Sequence, residues 1–241
     1  MSVDGCIDGT GAARLVLSGS ADLDRVDGER AASDAIMVGA GTLRRDNPRL
    51  LIRSPERRAA RVAKGLPEHP AGVTITTSGN LDPAARFFDR RWWSGEDDGA
   101  GGPPERLVYC ASPAAAMVGG KLNESAEIVD AGHPPRLEAI LADLGDRGVH
   151  RLMVEGGASL GTQFLTAGLV DELQLVIAPF FIGDPAAARF AGPGHYPNGP
   201  GRPMVLVEAR QVGQVVLLRY LLKEAAGLDG ILERAGEAGD A

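Results

Sequence analysis

The chain has 241 residues, and its 25 Lys and Arg against 32 Asp and Glu give a formal net charge of −7. This charge excludes broad electrostatic capture of nucleic acid or anionic lipid, so an anionic ligand needs a local site. With 44% hydrophobic and 24% charged residues, the composition is that of a globular protein with a core. The most apolar stretch, residues 173–183, is far shorter than the roughly 20 residues of a membrane span.

Cysteine and histidine are too few and too scattered to predict a disulfide framework or a metal site. Cys6 and Cys110 stand alone, and the four histidines show no HxxxH spacing. No basic and apolar signal sequence opens the chain. We therefore expect a cytoplasmic protein with no metal, no nucleic-acid partner and no membrane partner.

Short β-rich runs alternate with helix-like stretches, which predicts an α/β fold. The clearest helix is at residues 135–146, where apolar side chains recur at spacings of three and four. Residues 204–208 and 215–222 flank Gly213 and predict a C-terminal antiparallel hairpin. A single domain with a mixed, mostly parallel sheet flanked by helices is expected. The other predicted strands lie at residues 15–17, 35–38, 73–76, 107–109, 128–129, 152–154 and 173–177.

We expect this domain to cover residues 1–223. Residues 91–104 and the acidic, Ala- and Gly-rich tail 224–241 are expected to be peripheral and without chemistry. Trp92 and Trp93 either pack onto the domain, which is the commoner arrangement, or anchor a partner. Met1 leads directly into the turn at residues 2–5, so the first strand is expected to be cut short.

A strand at residues 35–38 ends in small residues, among them Gly39 and Gly41, and runs into a short helix, where Thr42 adds a hydroxyl. Free backbone N–H groups and the helix dipole at such a turn can receive a phosphate. The same glycines also suit a strand-to-helix turn for steric reasons alone. Both interpretations of this segment stay open.

Arginines are concentrated just after this turn, which reverses the sign of charge locally in an acidic protein. Guanidinium groups bind phosphate through paired, planar donors, so a phosphorylated ligand is indicated. For Arg57, Arg58 and Arg61 we favour a solvated helix face instead. The cluster consists of Arg44, Arg45, Arg49, Arg53, Arg57, Arg58 and Arg61.

A second strand, glycine turn and helix follow from residue 152 to an expected helix cap at Gly168, with Glu155 directly after the strand. This turn is a second candidate phosphate site, and Glu155 is placed at the sheet edge that ligands favour. Alternatively, Glu155 caps a helix end.

The segment from Gly157 to Gly161 also matches the G-x-S-x-G motif of serine hydrolases, with Ser159 as the nucleophile. Asp171 or Asp184, followed by His195, has the matching chain order. However, a nucleophile elbow places the serine directly after the strand, whereas Glu155 and two glycines intervene here. The hydrolase is therefore the less favoured hypothesis.

Five segments, beginning at Ser2, Asp34, Arg45, Val154 and Leu169, together resemble the pyrimidine reductase (RibD C-terminal) family of riboflavin biosynthesis. The resemblance runs from residue 2 to about residue 222. It implies a dihydrofolate reductase-like fold, the cofactor NADPH and a homodimer. The chain has neither the H-x-E nor the P-C-x-x-C motif of the zinc deaminase that bifunctional members carry, so a stand-alone reductase is expected.

The resemblance also implies residue roles. Substrate-binding positions match Arg30, Leu50, Arg53 and Glu155. Our hypothesis adds catalytic roles for Glu155 and for Asp46, which orients or protonates the substrate. Cofactor-binding positions match Thr42, Asp46, Thr77, Gly156, Gly157, Ala158, Ser159, Leu160, Gly161, Thr162 and Gln163.

The implied reaction is hydride transfer from NADPH to C1′ of the ribosylamino group of 5-amino-6-(5-phosphoribosylamino)uracil, which gives the ribitylamino product. Because the cofactor carries the difficult step, the protein has to align the reactants and supply a proton. Alternatives are a pteridine or dihydrofolate-type reductase, a 2,5-diaminopyrimidinone reductase, and a nucleotide-binding module without catalysis.

Overall fold

The computed structural model describes residues 1–11, 15–89, 104–122 and 124–223. Helices and strands alternate through most of this part of the chain, as the sequence predicts. The helices are α1 (Ser20–Ala31), α2 (Ala40–Asp46), α3 (Pro55–Ala63), α4 (Ser112–Leu122), α5 (Leu137–Asp146) and α6 (Ala158–Thr166). The strands are β1 (Ala35–Gly39), β2 (Ala71–Thr76), β3 (Arg106–Cys110), β4 (Glu127–Asp130), β5 (Leu152–Val154), β6 (Glu172–Ile177), β7 (Val205–Val212) and β8 (Val215–Leu221).

Five strands form a parallel sheet in the order β4-β3-β2-β1-β5. Successive side chains of a strand point to opposite faces, so the continuous apolar run of β1 supplies both faces with core residues. Ile36 and Val38 pack with α2 and α4, whereas Ala35 and Met37 pack with α5 and α6. The sheet is thus covered by helices on both faces, and its carboxyl edge is left to loops.

The last three strands form an antiparallel sheet in the order β6-β8-β7. The β7–β8 hairpin turns at Gly213, whose φ of +60° is one that glycine adopts readily. The predicted α/β fold and C-terminal hairpin are confirmed. The parallel and antiparallel strands, however, lie in two sheets rather than in one continuous sheet.

A gap separates the two sheets. β5 pairs with β1, β6 pairs with β8, and their opposite edges both line one large cavity. Met1 lies at one end of this gap, where its amino group donates to the Val176 carbonyl at 2.5 Å and its carbonyl accepts from the Ala178 N–H at 2.8 Å. That bonding pattern aligns Met1 parallel to β6.

Two expectations from the sequence are wrong or incomplete. Residues 15–17 do not form a strand, because Leu17 packs against the cluster around Val212 and Leu217 as a loop. The helix α1 was not foreseen, because its buried residues are Asp22 and Asp27 instead of an apolar stripe.

Three further expectations concern the helix at residues 135–146, membrane spans, and the tryptophans with the C-terminal tail. The helix expected at residues 135–146 is confirmed as α5. No helix within the described ranges has the length and apolar content that crossing a bilayer requires. Trp92, Trp93 and the tail 224–241 lie outside the described residues.

Candidate active site

The two glycine turns that the sequence singles out meet at the carboxyl ends of β1 and β5. Gly156 and Gly157 have φ values of +63° and +83°, a region that other L-residues rarely adopt. A Cβ atom on Gly157 would lie 2.9 Å from Thr42 Oγ1, and one on Gly156 would lie 3.7 Å from Thr42 Cγ2. Both the backbone conformation and the contact with Thr42 therefore call for glycine.

The start of α6 presents backbone rather than side chains to a ligand. Gly157 is the N-cap residue and no side chain caps the helix, so the first N–H groups have no partner within the helix. Leu160 is buried in the core, and its Cβ lies 3.8 Å from the Cβ position of Gly39. Thr162 Oγ1 donates to Ala158 O at 2.6 Å and accepts from Gly192 N at 2.8 Å.

The residues expected to bind the cofactor do not all line the cavity. Thr42 and Asp46 line the large cavity with Gly156, Gly157 and Gly161. Ser159 and Gln163 bond to each other through Oγ and Nε2 at 3.2 Å on the exposed side of α6. Thr77 follows β2, is exposed, and is not among the residues that line the cavity.

Glu155 and Arg30 form a bidentate ion pair in this cavity. Arg30 Nε donates to Glu155 Oε1 at 2.6 Å and Arg30 Nη2 donates to Oε2 at 2.7 Å. Both side chains are largely buried. Burial lowers the pKa of Arg30, but hydrogen bonds and the charge of Glu155 outweigh it, so the pKa is raised. Glu155 therefore does not cap α6, which excludes the alternative that the sequence left open.

The expected substrate residues Leu50 and Arg53 lie on the segment between α2 and α3. Leu50 is buried with a φ of +56°. Arg53 is exposed at the cavity. Arg30 connects the two regions, because its Nη1 donates to the Leu51 carbonyl at 3.1 Å. The cavity of about 1760 Å³ is thus lined by all four expected substrate residues and by part of the expected cofactor set, and it continues into the gap between the sheets.

The arginine cluster divides between the cavity and the scaffold. Arg57 pairs with Asp24 and Asp27, and Arg58 pairs with Glu68 at 3.2 Å. Arg61 is buried and donates to the carbonyls of Ala31, Ser33 and Pro67. The expectation of a solvated face for these three is wrong for Arg61, because the guanidinium satisfies buried carbonyl groups that would otherwise lack donors.

The serine hydrolase hypothesis finds no support in the geometry. Ser159 Oγ accepts from Gln163. Asp171 pairs with Lys223 at 2.6 Å, and Asp184 accepts from Thr10 and Ala186. A catalytic serine needs a base within hydrogen-bond reach that a carboxylate orients. Both candidate carboxylates are bonded to other partners.

Three residues that hold the site were missed from sequence: Asp27, His69 and Arg106. Each bonds to the backbone of the segment that carries Leu50 and Arg53. Their spacing in sequence gives no sign of this role, because they come from three different parts of the fold. Among the described residues, no group of three or more His, Cys, Asp or Glu side chains is arranged to hold a metal ion.

The fold and the site define an α/β protein with a cavity at the carboxyl ends of parallel strands, where neighbouring strand-to-helix turns meet. Open α/β sheets generally bind their ligands at this edge. Residues 1–218 match the RibD C-terminal domain model. The chain belongs to the RibD C-terminal domain family, which confirms the resemblance drawn from the sequence.

Curated relatives and a solved structure agree with this assignment. The chain is 35% identical over 183 residues to "2,5-diamino-6-ribosylamino-4(3H)-pyrimidinone 5′-phosphate reductase" of Archaeoglobus fulgidus. The aligned residues cover 76% of this chain and 78% of the relative. The chain is 30% identical over 225 residues to the protein of the same name in Methanothermobacter thermautotrophicus, covering 92% and 95%. A pyrimidine reductase-like protein from Corynebacterium diphtheriae has the same fold, with a TM-score of 0.73, 22% identity and coverage of 92% and 89%.

Proposed function

We propose that the protein is an NADPH-dependent reductase of riboflavin biosynthesis that converts a phosphoribosylamino-pyrimidine into its ribitylamino product. One observation carries this proposal. A single cavity is lined on one side by Thr42 against the glycine turn, and on another by the Arg30–Glu155 pair with Arg53. A dinucleotide and a sugar phosphate bound to these two sides would lie next to each other.

The residues present fit a nicotinamide dinucleotide. Gly156 and Gly157 line the cavity without a side chain, so a ligand can approach their backbone. The start of α6 offers N–H groups and a positive dipole end to a diphosphate. Thr42 adds a hydroxyl at the same point. When bound, NADPH supplies the hydride. We propose that the residues from Gly156 to Gln163, together with Asp46 and Thr77, contact this cofactor.

On the substrate side, the chain orients the pyrimidine and its phosphate. Arg30 occupies one lone pair on each oxygen of Glu155, and the remaining lone pairs can accept hydrogen bonds from amino groups of the pyrimidine. Arg53 is available to the 5′-phosphate. In the reaction a hydride adds to C1′ of the ring-opened imine and a proton adds to its nitrogen, which gives a secondary amine. Asp46 at the end of α2 is our candidate for orienting this nitrogen or supplying the proton.

The identity of the pyrimidine has two candidates. 5-Amino-6-(5-phosphoribosylamino)uracil follows from the resemblance, whereas the names of the two relatives above favour the 2,5-diaminopyrimidinone. The two rings differ in whether position 2 carries an oxygen or an amino group. Measuring kcat/KM for both, by the loss of NADPH absorbance, decides between them.

Arg53→Ala tests the proposed phosphate contact. We expect KM for the phosphorylated substrate to rise at least tenfold, as for loss of a hydrogen bond between charged groups of about 1.5–3 kcal/mol. KM for the dephosphorylated compound should change little. Arg44→Ala is the matched control, because Arg44 is exposed, donates to Asn80 O at 2.9 Å and does not line the cavity. Equal losses with both substrates would contradict a phosphate contact.

We also propose that residues 1–223 form one cytoplasmic reductase domain and that it is a homodimer. Exposed apolar side chains on the antiparallel sheet, among them Leu206 and Val216, support an interface between two copies. Sedimentation equilibrium measures the mass directly, and a monomer at micromolar concentration would contradict this part.

A further inference from the structure

The segment that carries Leu50 and Arg53 is held by side chains from outside it. Arg106 Nη2 donates to Arg49 O at 3.1 Å, and Arg30 Nη1 donates to Leu51 O at 3.1 Å. The Ile52 N–H donates to His69 Nδ1 at 3.2 Å. This segment has no regular secondary structure, so these bonds replace the ones that a helix or strand would make.

Asp27 of α1 binds two backbone N–H groups of this segment. Its Oδ1 accepts from the Arg53 N–H at 2.6 Å and its Oδ2 from the Ser54 N–H at 3.1 Å. Oδ2 also accepts from Arg57 Nη1 at 3.1 Å. The residue is only 3% exposed. Burial raises the pKa of Asp27, but the backbone bonds and Arg57 outweigh it, so the pKa is lowered and the carboxylate stays charged.

Asp27 lies one turn before Arg30 on the same helix. Residues three apart share one face of a helix, so α1 presents both side chains to the segment. Arg30 binds Leu51 O and Glu155 together, whereas Asp27 binds the two N–H groups next to the Arg53 side chain. One turn of α1 thus fixes Leu50, Arg53 and Glu155 relative to each other.

We propose that Asp27 is a positioning residue that sets the affinity for the phosphorylated pyrimidine, because it holds the Arg53 backbone in place. This inference rests on the proposed function. Leu50 has a φ of +56°, a conformation that a non-glycine residue keeps only where its surroundings hold it. Without Asp27, the segment can relax and Arg53 no longer points at one place in the cavity.

Asp27→Asn tests the proposal, with Asp24→Asn as its matched control. Both carboxylates pair with Arg57, and Asp24 does so at 2.6 and 2.9 Å. Within the described part of the chain, Asp24 bonds to Arg57 and makes no hydrogen bond to the segment, so its variant loses an Arg57 ion pair alone. We expect Asp27→Asn to raise KM for the phosphorylated substrate about tenfold, the loss typical of a charged hydrogen bond, with kcat within about twofold. Asp24→Asn should leave both parameters near wild type.

Amide hydrogen exchange at Arg53 and Ser54 supplies a readout that does not need turnover. We expect exchange at these two amides to quicken at least tenfold in Asp27→Asn and to stay unchanged in Asp24→Asn. Asp27→Glu, which keeps the charge on a longer side chain, is the second variant if Asp27→Asn does not fold. Its exchange rates at Arg53 and Ser54 should lie between those of the wild type and those expected for Asp27→Asn.

The outcomes separate this inference from the proposed function. If the wild-type protein oxidises NADPH with neither pyrimidine, the proposed function fails. The exchange rates of the Arg53 and Ser54 amides still test whether Asp27 anchors the segment. If KM and exchange are unchanged in Asp27→Asn, or if Asp24→Asn gives the same shift, Asp27 does not position the segment. A fall in kcat with KM unchanged would also overturn the proposal.

Discussion

Carboxylates show how a residue's role depends on partners far away in the sequence. Glu155 follows a strand and precedes a helix, and sequence allows it to be a ligand group or a helix cap. The structure gives it a bidentate partner 125 residues earlier, at Arg30. Its side chain is therefore turned away from α6 and into the cavity, where its remaining lone pairs are available to a substrate.

Asp4 is a second carboxylate with distant partners, and it predicts a pH dependence of stability. A hydrogen bond from Ser2 Oγ, and then the Gly183 and Ile182 N–H groups, lower the pKa of Asp4 from 3.8 to about 2. Between these values the unfolded chain binds more protons than the folded one, so the free energy of unfolding decreases as the pH falls. We expect Asp4→Asn to flatten this decrease, as measured by urea unfolding from pH 5 to pH 2.

Asp146→Asn is the control for this experiment, since Asp146 lies exposed at the end of α5. Asp146→Asn leaves the bonds of Asp4 in place, so the free energy of unfolding of this variant should decrease with falling pH as steeply as that of the wild type. The same slope in Asp4→Asn as in wild type would mean that Asp4 is not held by these bonds in solution.

At the scale of elements, the glycine turn between β5 and α6 combines a positive φ with a close contact to a side chain of the facing turn. We expect Gly157→Ala to destabilise the fold by about 1–3 kcal/mol, because alanine disfavours a φ of +83° and its Cβ would lie 2.9 Å from Thr42 Oγ1. Thermal unfolding measures this loss, and NADPH titration should show weaker binding.

Gly145→Ala in α5 is the matched control for the turn. This glycine has a helical backbone, and a Cβ there meets nothing within 4 Å. Alanine is the better helix former, so the variant should gain up to about 1 kcal/mol. If Gly157→Ala were as stable as Gly145→Ala, the turn would not need the conformation described.

At the scale of the whole molecule, the gap between β5 and β6 predicts a pattern of amide exchange. Successive N–H groups of a strand point to opposite sides. Met1 bonds to Val176 O and Ala178 N, so the even-numbered residues of β6 direct their backbone groups into the gap. We expect the Gln174 and Val176 amides to exchange much faster than those of Leu173 and Leu175, measured by NMR.

Slow exchange at both sets would mean that another chain segment or a second copy pairs with this edge in solution. An extended segment that bonded to both edges would join the two sheets into one.

Elements of this fold differ, for physical reasons, in how clearly the sequence predicts them. The sequence predicts β1 and β3 because burial on both faces leaves a continuous apolar run. It predicts α5 because burial of one stripe repeats apolar residues at spacings of three and four. α1 was missed because it buries Asp22 and Asp27. Arg61 was assigned to a solvated face because only the fold shows that three carbonyl groups surround its guanidinium.

The sequence by itself determined the α/β class, the C-terminal hairpin, the family and the two glycine turns, because these depend on local backbone demands and on periodic burial. The tertiary structure alone decided that Thr42 contacts Gly157, that Glu155 pairs with Arg30, and that Asp27 anchors the Arg53 segment. Contacts of this second kind join residues tens to more than a hundred positions apart. Side-chain identity and spacing along the chain do not encode which of many possible partners the packed sheet and helices bring together.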